Sequence, residues 1–353
     1  MKRLSRNIKR ILLATIPFAS ILQSCVDQPD YGKDPYDIYA NFDALTQVVS
    51  DRYCFFEEKD IDWPSLCRQY RAQLTDSTNY LDLFFIMSDL LDNLKDGHVN
   101  LISAFNTSYY KKWWTDYPQD FNKRTLEEYY LNFKGMQTAG MRYGIMGPDT
   151  IGYIYFPSFS TPVGESNLDY VLAVMQPTKG LIIDIRDNGG GLLTNVPTFV
   201  SRFIDKEVKG GSIRHKTGPG AKDFSEPYEF SYSPCGGGHI SYLDKPIAVL
   251  TNRSCYSAAN DFVAVMKTLP QVEIIGARTG GGGGLPFSSE LPIGWFIRFS
   301  ACPITDPNGE VTEFGIDPSP GCEVHCDPVE LAEGKDAILD FALERIASRA
   351  KAK

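Results

Sequence analysis

The spacing of hydrophobic positions changes between the first and second parts of the chain. Within residues 39–94, apolar side chains recur at helical spacing, as Phe42, Leu45 and Val49 do. Residues 63–74 and 80–94 repeat that pattern, which predicts two further amphipathic helices. From residue 150 onward, short apolar runs without alternation instead predict strands buried on both faces of a sheet.

These apolar runs alternate with segments of helical pattern. The predicted strands are residues 151–156, 180–186, 246–250, 272–275, 295–300 and 311–316, and the predicted helices are residues 168–175, 195–203, 259–269 and 336–347. Strand, helix and strand at these lengths are typical of parallel βα units. We therefore expect an α/β fold, with a small helical N-terminal domain at 39–97 and an α/β core at 98–345. Residues 202–245 form a polar, Gly-rich connection, predicted to be a loop or hairpin.

Composition excludes some classes of function. The 353 residues are 43% hydrophobic and 22% charged, as in a globular protein. The formal charge of -9 and the lack of a basic stripe after the N-terminus argue against nucleic acid as a partner.

The first residues have the pattern of an export signal. Residues 1–24 combine a basic start with a short apolar run and end in Leu-Gln-Ser before Cys25, similar to a bacterial lipobox. We expect Cys25 to be lipidated, residues 25–38 to be a tether, and the protein to be anchored by lipid in the bacterial cell envelope, on its periplasmic or surface face. An ordinary signal peptide or an uncleaved anchor are the alternatives. Cleavage would remove five positive charges and change the formal charge from -9 to -14.

The eight cysteines do not define a pairing, since spacing alone cannot give connectivity. Cys322, His325 and Cys326 faintly resemble a metal site, but no second cluster completes four ligands. Loop cysteines or a disulfide are the favoured interpretation, and no metal or organic cofactor is expected.

Ser257 lies where a predicted strand gives way to a predicted helix. There a serine can be exposed yet held rigidly, and helix N–H groups face developing negative charge. Ser254 or Ser257 could instead be a simple helix N-cap. Cys255 is a weaker candidate nucleophile.

Two other segments contain groups suited to the same chemistry. His98 follows Asp96-Gly97 at a predicted turn into a strand, where it is either a surface residue or a general base. Asn188 and Gly189–Gly191 end a buried strand in a turn whose backbone N–H groups can approach a ligand closely.

Three motifs in this order resemble one enzyme family. They are Asp184-x-Arg186-x-Asn188-Gly189-Gly190-Gly191, then Asn252 through Ser257-Ala258-Ala259, then Gly315-Ile316-Asp317-Pro318. Together they resemble the C-terminal-processing and tricorn-core serine peptidases over residues 39–345. The resemblance implies a crotonase- or Clp-like α/β core.

The resemblance also distinguishes two catalytic arrangements. The tail-specific branch uses a lysine about 25 residues after the serine, where this chain has Gly282, and Lys267 lies in the predicted helix. The tricorn-like branch uses a histidine, matched by His98, and a glutamate, matched by Glu313, which is 56 residues after Ser257. Without the matching spacing, Glu313 would be interpreted as a surface strand carboxylate. Asn260 departs from a glutamate common in the family, and no PDZ domain is evident.

The resemblance thus implies a serine endopeptidase with a Ser257, His98 and Glu313 triad. Its oxyanion hole would use the backbone N–H of Ala258 and one from Gly189 or Gly190. The expected partner is a peptide or protein substrate, and the oligomeric state stays open. The alternative is a non-catalytic peptide- or lipid-binding envelope lipoprotein on the same fold. In that case the aromatic segment 102–148 would form the binding surface, although packing between domains explains its aromatics equally well.

Overall fold

The structure is a computed structural model that describes residues 34–148 and 150–351. Its helices are α1 (Ile38–Arg52), α2 (Trp63–Arg71), α3 (Tyr80–Asp92), α4 (Lys112–Thr115), α5 (Lys123–Thr125), α6 (Glu165–Met175), α7 (Val196–Val200), α8 (Ala258–Met266), α9 (Pro328–Ala332) and α10 (Ala337–Lys351). Its strands are β1 (Asn100–Ile102), β2 (Met136–Thr138), β3 (Met141–Met146), β4 (Ile151–Tyr155), β5 (Leu181–Asp184), β6 (Val208–Ile213), β7 (Tyr228–Tyr232), β8 (Ile247–Thr251), β9 (Val272–Gly276), β10 (Gly284–Glu290) and β11 (Phe296–Thr305). Shorter helical turns lie at Leu126–Tyr130, Leu193–Asn195 and Thr312–Phe314.

A six-stranded sheet in the order β2-β3-β4-β5-β8-β9 forms the centre of the α/β core. Strands β4, β5, β8 and β9 are parallel, and β2 and β3 extend the sheet antiparallel. Helices α6, α7 and α8 cover one face, and α10 covers the other. Because both faces are covered, β5 and β8 are buried along their whole length, which explains their unbroken apolar sequences.

A second, antiparallel sheet joins the N-terminal helices to the core. Its order is β1-β11-β6-β7, and β10 pairs with β11. Helices α1 and α3 pack on this sheet, so that Phe42, Leu83, Ile297 and Phe299 share one hydrophobic cluster. The N-terminal helices therefore bury their apolar faces against a strand that lies some 200 residues later, and position residues 94–98 beside the α/β core.

The predicted α/β class is confirmed, as are the helical character of residues 39–94 and the strands at β4, β5, β8, β9 and β11. The connection 202–245 contains the hairpin β6–β7. The predicted strand at 311–316 is wrong. Gly315 has φ 91°, and its N–H returns to Thr312 O at 3.1 Å, so the backbone turns there instead of extending. Strand β10 was missed because it begins in the glycine run.

The cysteines within the described residues are free thiols, including the buried Cys322 and Cys326. His325 Nδ1 lies 3.0 Å from Asp120 Oδ2, and no metal-ligand cluster of three or more residues occurs in the part of the chain described. Within the same residues, no helix combines the length and apolarity needed to cross a bilayer. Residues 1–24 and Cys25 lie outside the described residues.

Candidate active site

Ser257 occupies a strained turn between β8 and α8. Its φ is 56° and its ψ is -122°, a conformation that a residue with a Cβ rarely adopts. Such a conformation costs of order 1–3 kcal/mol, and strain of this kind is concentrated at functional sites. Although Ser257 stands at the N-cap position, its side chain makes no capping hydrogen bond. The Ser257 hydroxyl therefore does not cap the N-terminus of α8.

The turn after β5 packs directly on the Ser257 turn. A Cβ on Gly190, whose φ is 94°, would lie 2.8 Å from Ser257 Cβ and 2.9 Å from Ala258 N, so only glycine fits. The N–H of Gly190 donates to Asn188 Oδ1 at 3.0 Å. Within the described residues the N–H groups of Gly189 and Ala258 have no such partner. These two donors are thus available to a ligand.

His98 lies in the same cavity as Ser257. The cavity has a volume of about 480 Å³, and Gly189–Gly191 and Trp113 also line it. His98 is buried, and its ring centroid is 4.9 Å from that of Tyr256. Burial, together with the charges of Arg298 and Lys59, lowers the pKa of His98 to about 4 against the opposing charge of Asp96. His98 is therefore neutral at pH 7 and can accept a proton.

Glu313 is buried, and it lines the neighbouring cavity with Lys59 and not the one that contains Ser257 and His98. Lys59 Nζ donates to Glu313 Oε1 at 2.7 Å and to the carbonyls of Leu94 and Lys95, each at 3.2 Å. Asp96 Oδ2 lies 3.8 Å from the same ammonium. Burial and Asp96 raise the pKa of Glu313 to about 8, although Lys59 lowers it. Burial also lowers the pKa of Lys59, but the two carboxylates outweigh it and leave that pKa raised.

The atoms that a triad would join are both without partners. Glu313 Oε2 and His98 Nδ1 are buried and have no hydrogen bond. An orphaned buried polar atom costs roughly 1–3 kcal/mol, so the two atoms gain free energy if they meet. The other oxygen of Glu313 is held by Lys59, which leaves Oε2 available for this contact.

The glycine run at 280–284 connects the serine turn to the Glu313 turn. Gly281 O accepts from Ser257 N at 2.8 Å, and Gly282 N donates to Glu313 O at 3.2 Å. A Cβ on Gly281 would lie 1.8 Å from Glu313 O, and one on Gly282 would lie 2.6 Å from the Tyr256 ring. The run consists of glycines because the Ser257 turn and the Glu313 turn both approach its backbone too closely for a side chain. The position where the other branch has its lysine has no room for a side chain.

Asn260 supplies a second link between the same turns. Its Nδ2 donates to Thr312 O at 3.0 Å, and its Oδ1 accepts from Thr279 Oγ1 at 2.6 Å. An amide can donate and accept at once, whereas an ionised glutamate only accepts. The departure from the family pattern at this position thus has a structural role of its own.

Two alternative catalytic groups are poorly placed. Cys255 is fully buried, its Sγ donates to Ile185 O at 2.9 Å, and burial raises its pKa well above that of a free thiol. It is therefore a structural thiol. Lys267 is exposed, and its Nζ donates to Asp317 O at 2.9 Å. The solvated interpretation of Lys267 is confirmed.

Part of the aromatic segment covers the site. The Trp113 ring stacks on Tyr256 at 4.1 Å between centroids, and Arg253 donates to Trp113 O at 2.6 Å. Trp113 and Tyr109 both line the Ser257 cavity. Trp113 thus packs on Tyr256 and also forms part of the cavity wall, together with Tyr109.

Sequence reasoning did not single out Lys59 or Arg298. Lys59 follows Glu57 and Glu58 in the sequence and looks like an ordinary surface lysine. Arg298 interrupts an apolar strand, which was a signal, because a charged residue within a buried strand needs a partner or a function.

The fold and this site together define a serine-hydrolase arrangement: a strained serine at a strand-to-helix turn, a neutral buried histidine and two free backbone N–H groups. Residues 150–319 match the model of peptidase family S41, and residues 35–92 match that of the tricorn protease C1 domain. The chain belongs to peptidase family S41. The resemblance seen in the sequence is confirmed at this level.

The chain is similar to two curated proteases over part of their length. It is 27% identical over 184 residues to the carboxy-terminal processing protease CtpA of Bacillus subtilis (strain 168), covering 52% of this chain and 37% of CtpA. It is 25% identical over 224 residues to the tricorn protease of Thermoplasma acidophilum, covering 62% of this chain and 19% of tricorn. The chain thus spans well under half the length of these relatives.

Solved structures support the same fold. A protein of Parabacteroides merdae ATCC 43184 assigned to the peptidases shares 44% identity at a TM-score of 0.82, with 89% of this chain and 97% of that chain covered. Mature CPAF superposes with a TM-score of 0.66 at 12% identity, over 89% of this chain and 96% of CPAF. The latter likeness concerns the fold alone.

Proposed function

We propose that this protein is a serine endopeptidase, with Ser257 as nucleophile, His98 as general base and Glu313 as the residue that orients His98. The observation that carries the proposal is the strained Ser257 turn, in which a hydroxyl that makes no capping bond opens into the cavity lined by His98. Family membership supports the reaction class.

In the proposed reaction, His98 takes the proton of Ser257 as the hydroxyl oxygen attacks a peptide carbonyl carbon. The imidazolium then gives that proton to the leaving amine as the C–N bond breaks. Water then attacks the acyl-enzyme with His98 as base, and the imidazolium returns the proton to the Ser257 oxygen as the ester C–O bond breaks. Burial keeps His98 neutral at pH 7 before each attack, and the charge of Glu313 would stabilise the imidazolium that burial disfavours.

Glu313 would act when its free oxygen, Oε2, accepts a hydrogen bond from His98 Nδ1. Both atoms are buried and unpaired, so this bond satisfies two groups at once. Lys59 holds the opposite oxygen of Glu313 at 2.7 Å, and thereby favours the ionised carboxylate that the imidazolium requires. Lys59 is accordingly a positioning residue in this proposal.

The negative charge on the tetrahedral intermediate would be stabilised by the N–H groups of Ala258 and Gly189. Both lack protein acceptors in the part of the chain that the structure describes, whereas Gly190 donates to Asn188. Ala258 is also the first residue of α8, where the helix dipole favours negative charge. Loss of one such donor typically costs about 3 kcal/mol of transition-state stabilisation.

A peptide-library digest tests this function. We expect the full-length protein to cleave a subset of peptides, and the Ser257→Ala and His98→Ala variants to lose cleavage while they keep the thermal unfolding midpoint. If a folded wild-type protein binds peptides in the library but cleaves none, the non-catalytic binding module would replace the peptidase.

We also propose that the protein is exported and anchored by lipid at Cys25. The basic start, the apolar run and the small residue before Cys25 support this proposal. Metabolic labelling of a bacterial host with an alkyne fatty acid should mark the wild-type chain and not the Cys25→Ala variant. Equal labelling of both chains, or of neither, would contradict lipidation at this residue.

A further inference from the structure

The cavity beside Ser257 has an unusual charge for this protein. The chain as a whole carries a formal charge of -9. Yet the residues that line this cavity include Arg298 and no aspartate or glutamate, and His98 within it is neutral at pH 7. The neighbouring cavity behind Trp113 instead has carboxylates and cationic side chains in equal number, four of each. The Ser257 cavity is therefore suited to a group with negative charge.

Arg298 reaches this cavity because of the alternation of β11. Ile297 and Phe299 point into the hydrophobic cluster under the N-terminal helices, so Arg298 and Ser300 occupy the opposite face of the strand. That opposite face looks toward the segment that carries Asp96 and His98. Arg298 is half-buried there, and it lines the cavity together with Ser257.

Arg298 has no carboxylate partner in the part of the chain that the structure describes. Its one hydrogen bond to protein in the described residues goes from Nη1 to Asn100 Oδ1 at 3.3 Å, and it forms no ion pair there. Fully buried Arg186, in comparison, bonds two carboxylates. Burial is the largest influence on the pKa of Arg298 and lowers it, while the more distant Asp96 opposes that shift. A guanidinium has five N–H donors, so most of them are open to the cavity.

A half-buried cation without a carboxylate partner is costly to fold, and packing does not explain it. We propose that Arg298 binds a carboxylate of the peptide substrate next to the scissile bond. This inference rests on the proposed peptidase function and names the class of substrate, namely peptides with an acidic group near the cleaved bond. The carboxylate comes either from an Asp or Glu side chain or from the free C-terminus of the substrate.

The planar guanidinium suits this ligand. It can give two parallel N–H bonds to one carboxylate, a geometry that the ammonium of a lysine cannot reproduce. The same cavity offers the hydroxyl of Ser160 as a further donor, whereas that of Ser158 donates to Gly190 O at 3.4 Å. A neutral side chain at the same position of the substrate would leave the guanidinium unpaired and would be selected against.

Matched peptides test the proposal and identify the source of the carboxylate. A cleaved library peptide is remade with Asp or Asn at each position within about four residues of the bond, and with a free or amidated C-terminus. We expect one Asp/Asn pair, or the acid/amide pair, to differ in kcat/KM by roughly ten- to a hundredfold, the range of a hydrogen bond to a charged group. Arg298→Gln should abolish that ratio, and Arg298→Lys should keep only part of it.

Arg71→Gln is the control, because Arg71 pairs with Asp43 on the exposed surface of the N-terminal helices. It should leave the ratio unchanged. If Arg298→Gln instead lowers kcat/KM equally for acidic and neutral peptides, Arg298 stabilises the transition state or the His98 pKa and the proposal is wrong. A wild-type enzyme that shows no preference in any pair overturns it as well.

A binding measurement keeps this inference separate from the peptidase function. With matched pairs built on a library peptide that Ser257→Ala binds, this variant should bind the acidic member of one pair more tightly than the neutral member, and the Ser257→Ala/Arg298→Gln double variant should bind both equally. That result would stand even if the wild-type protein cleaved no peptide, in which case the peptidase proposal alone would fail. Equal binding of both peptides by Ser257→Ala would refute the role of Arg298.

Discussion

Replacement of Lys59 by methionine should move the pH dependence of peptide cleavage to higher pH. In the wild-type protein the pKa of His98 is about 4 and that of Glu313 about 8. His98 is thus already neutral at pH 5, and the ionisation of Glu313 limits the active form. We expect kcat/KM of the wild-type protein to rise with pH through an acid limb near 8, with a slope of one proton.

The size of the shift follows from the contacts of Glu313. Asp96, Tyr53, Cys54 and Tyr256 surround the site, and among the groups that act on the Glu313 pKa only Lys59 lowers it by its charge. An opposite charge at such short range changes a carboxyl pKa by roughly 1–3 units. Lys59→Met should therefore raise the acid limb by that amount. At pH 7 the activity should fall about tenfold for each unit by which the pKa of Glu313 rises.

The assay is kcat/KM of one peptide between pH 5 and pH 10.5 for the wild-type protein, Lys59→Met and Lys59→Arg. Lys59→Arg keeps the charge and should keep the limb near that of the wild type. Activity of Lys59→Met should recover above its new limb, which separates a titration effect from misfolding. An acid limb of Lys59→Met at the wild-type position would refute the coupling of Lys59 to Glu313.

Three further predictions concern the turns around the site and the buried base. Gly281→Ala should unfold the protein at lower temperature and abolish cleavage, because its Cβ would lie 1.8 Å from Glu313 O; Gly236→Ala, which meets nothing within 4 Å, is the control, and an equal unfolding midpoint for both would contradict this. Asn260→Ala breaks two buried hydrogen bonds and should destabilise the fold by about 1–3 kcal/mol in urea unfolding, whereas no change would remove its structural role. His98 keeps a folded pKa of about 4 against an ordinary value of 6.5, so the unfolded chain takes up its proton first as pH falls. The free energy of unfolding should drop by about 3 kcal/mol between pH 6.5 and 4, and His98→Asn should lack that component of the slope.

Local sequence was enough to predict much of the α/β core. The apolar runs of β5 and β8 are unbroken because helices cover both sheet faces, and such runs can be recognised in the amino-acid sequence. Ser257 could be found for the same reason, since it follows a recognisable strand and precedes a recognisable helix. The cavity that contains Ser257 and His98 then follows from the fold.

The contacts that modify the site could not be predicted in this way. Lys59 meets Glu313 across 254 residues of sequence, and no local pattern encodes that distance. Glu313 was expected on the predicted strand at 311–316. The backbone turns instead, since Gly315 has a positive φ and the N–H of Gly282 donates a hydrogen bond to the carbonyl of Glu313. Long-range backbone packing, and not side-chain periodicity, decides the conformation of that segment.

The most direct test of the account is whether Ser257 is an activated nucleophile. A fluorophosphonate probe is added to the purified full-length protein at pH 8.5, and the modified residue is identified by mass spectrometry. We predict a single adduct on Ser257, lost in Ser257→Ala and reduced by at least about a hundredfold in rate in His98→Ala, the scale of general-base catalysis. Labelling that survives Ser257→Ala, or an unlabelled wild-type protein that is shown to be folded, would contradict the central claim.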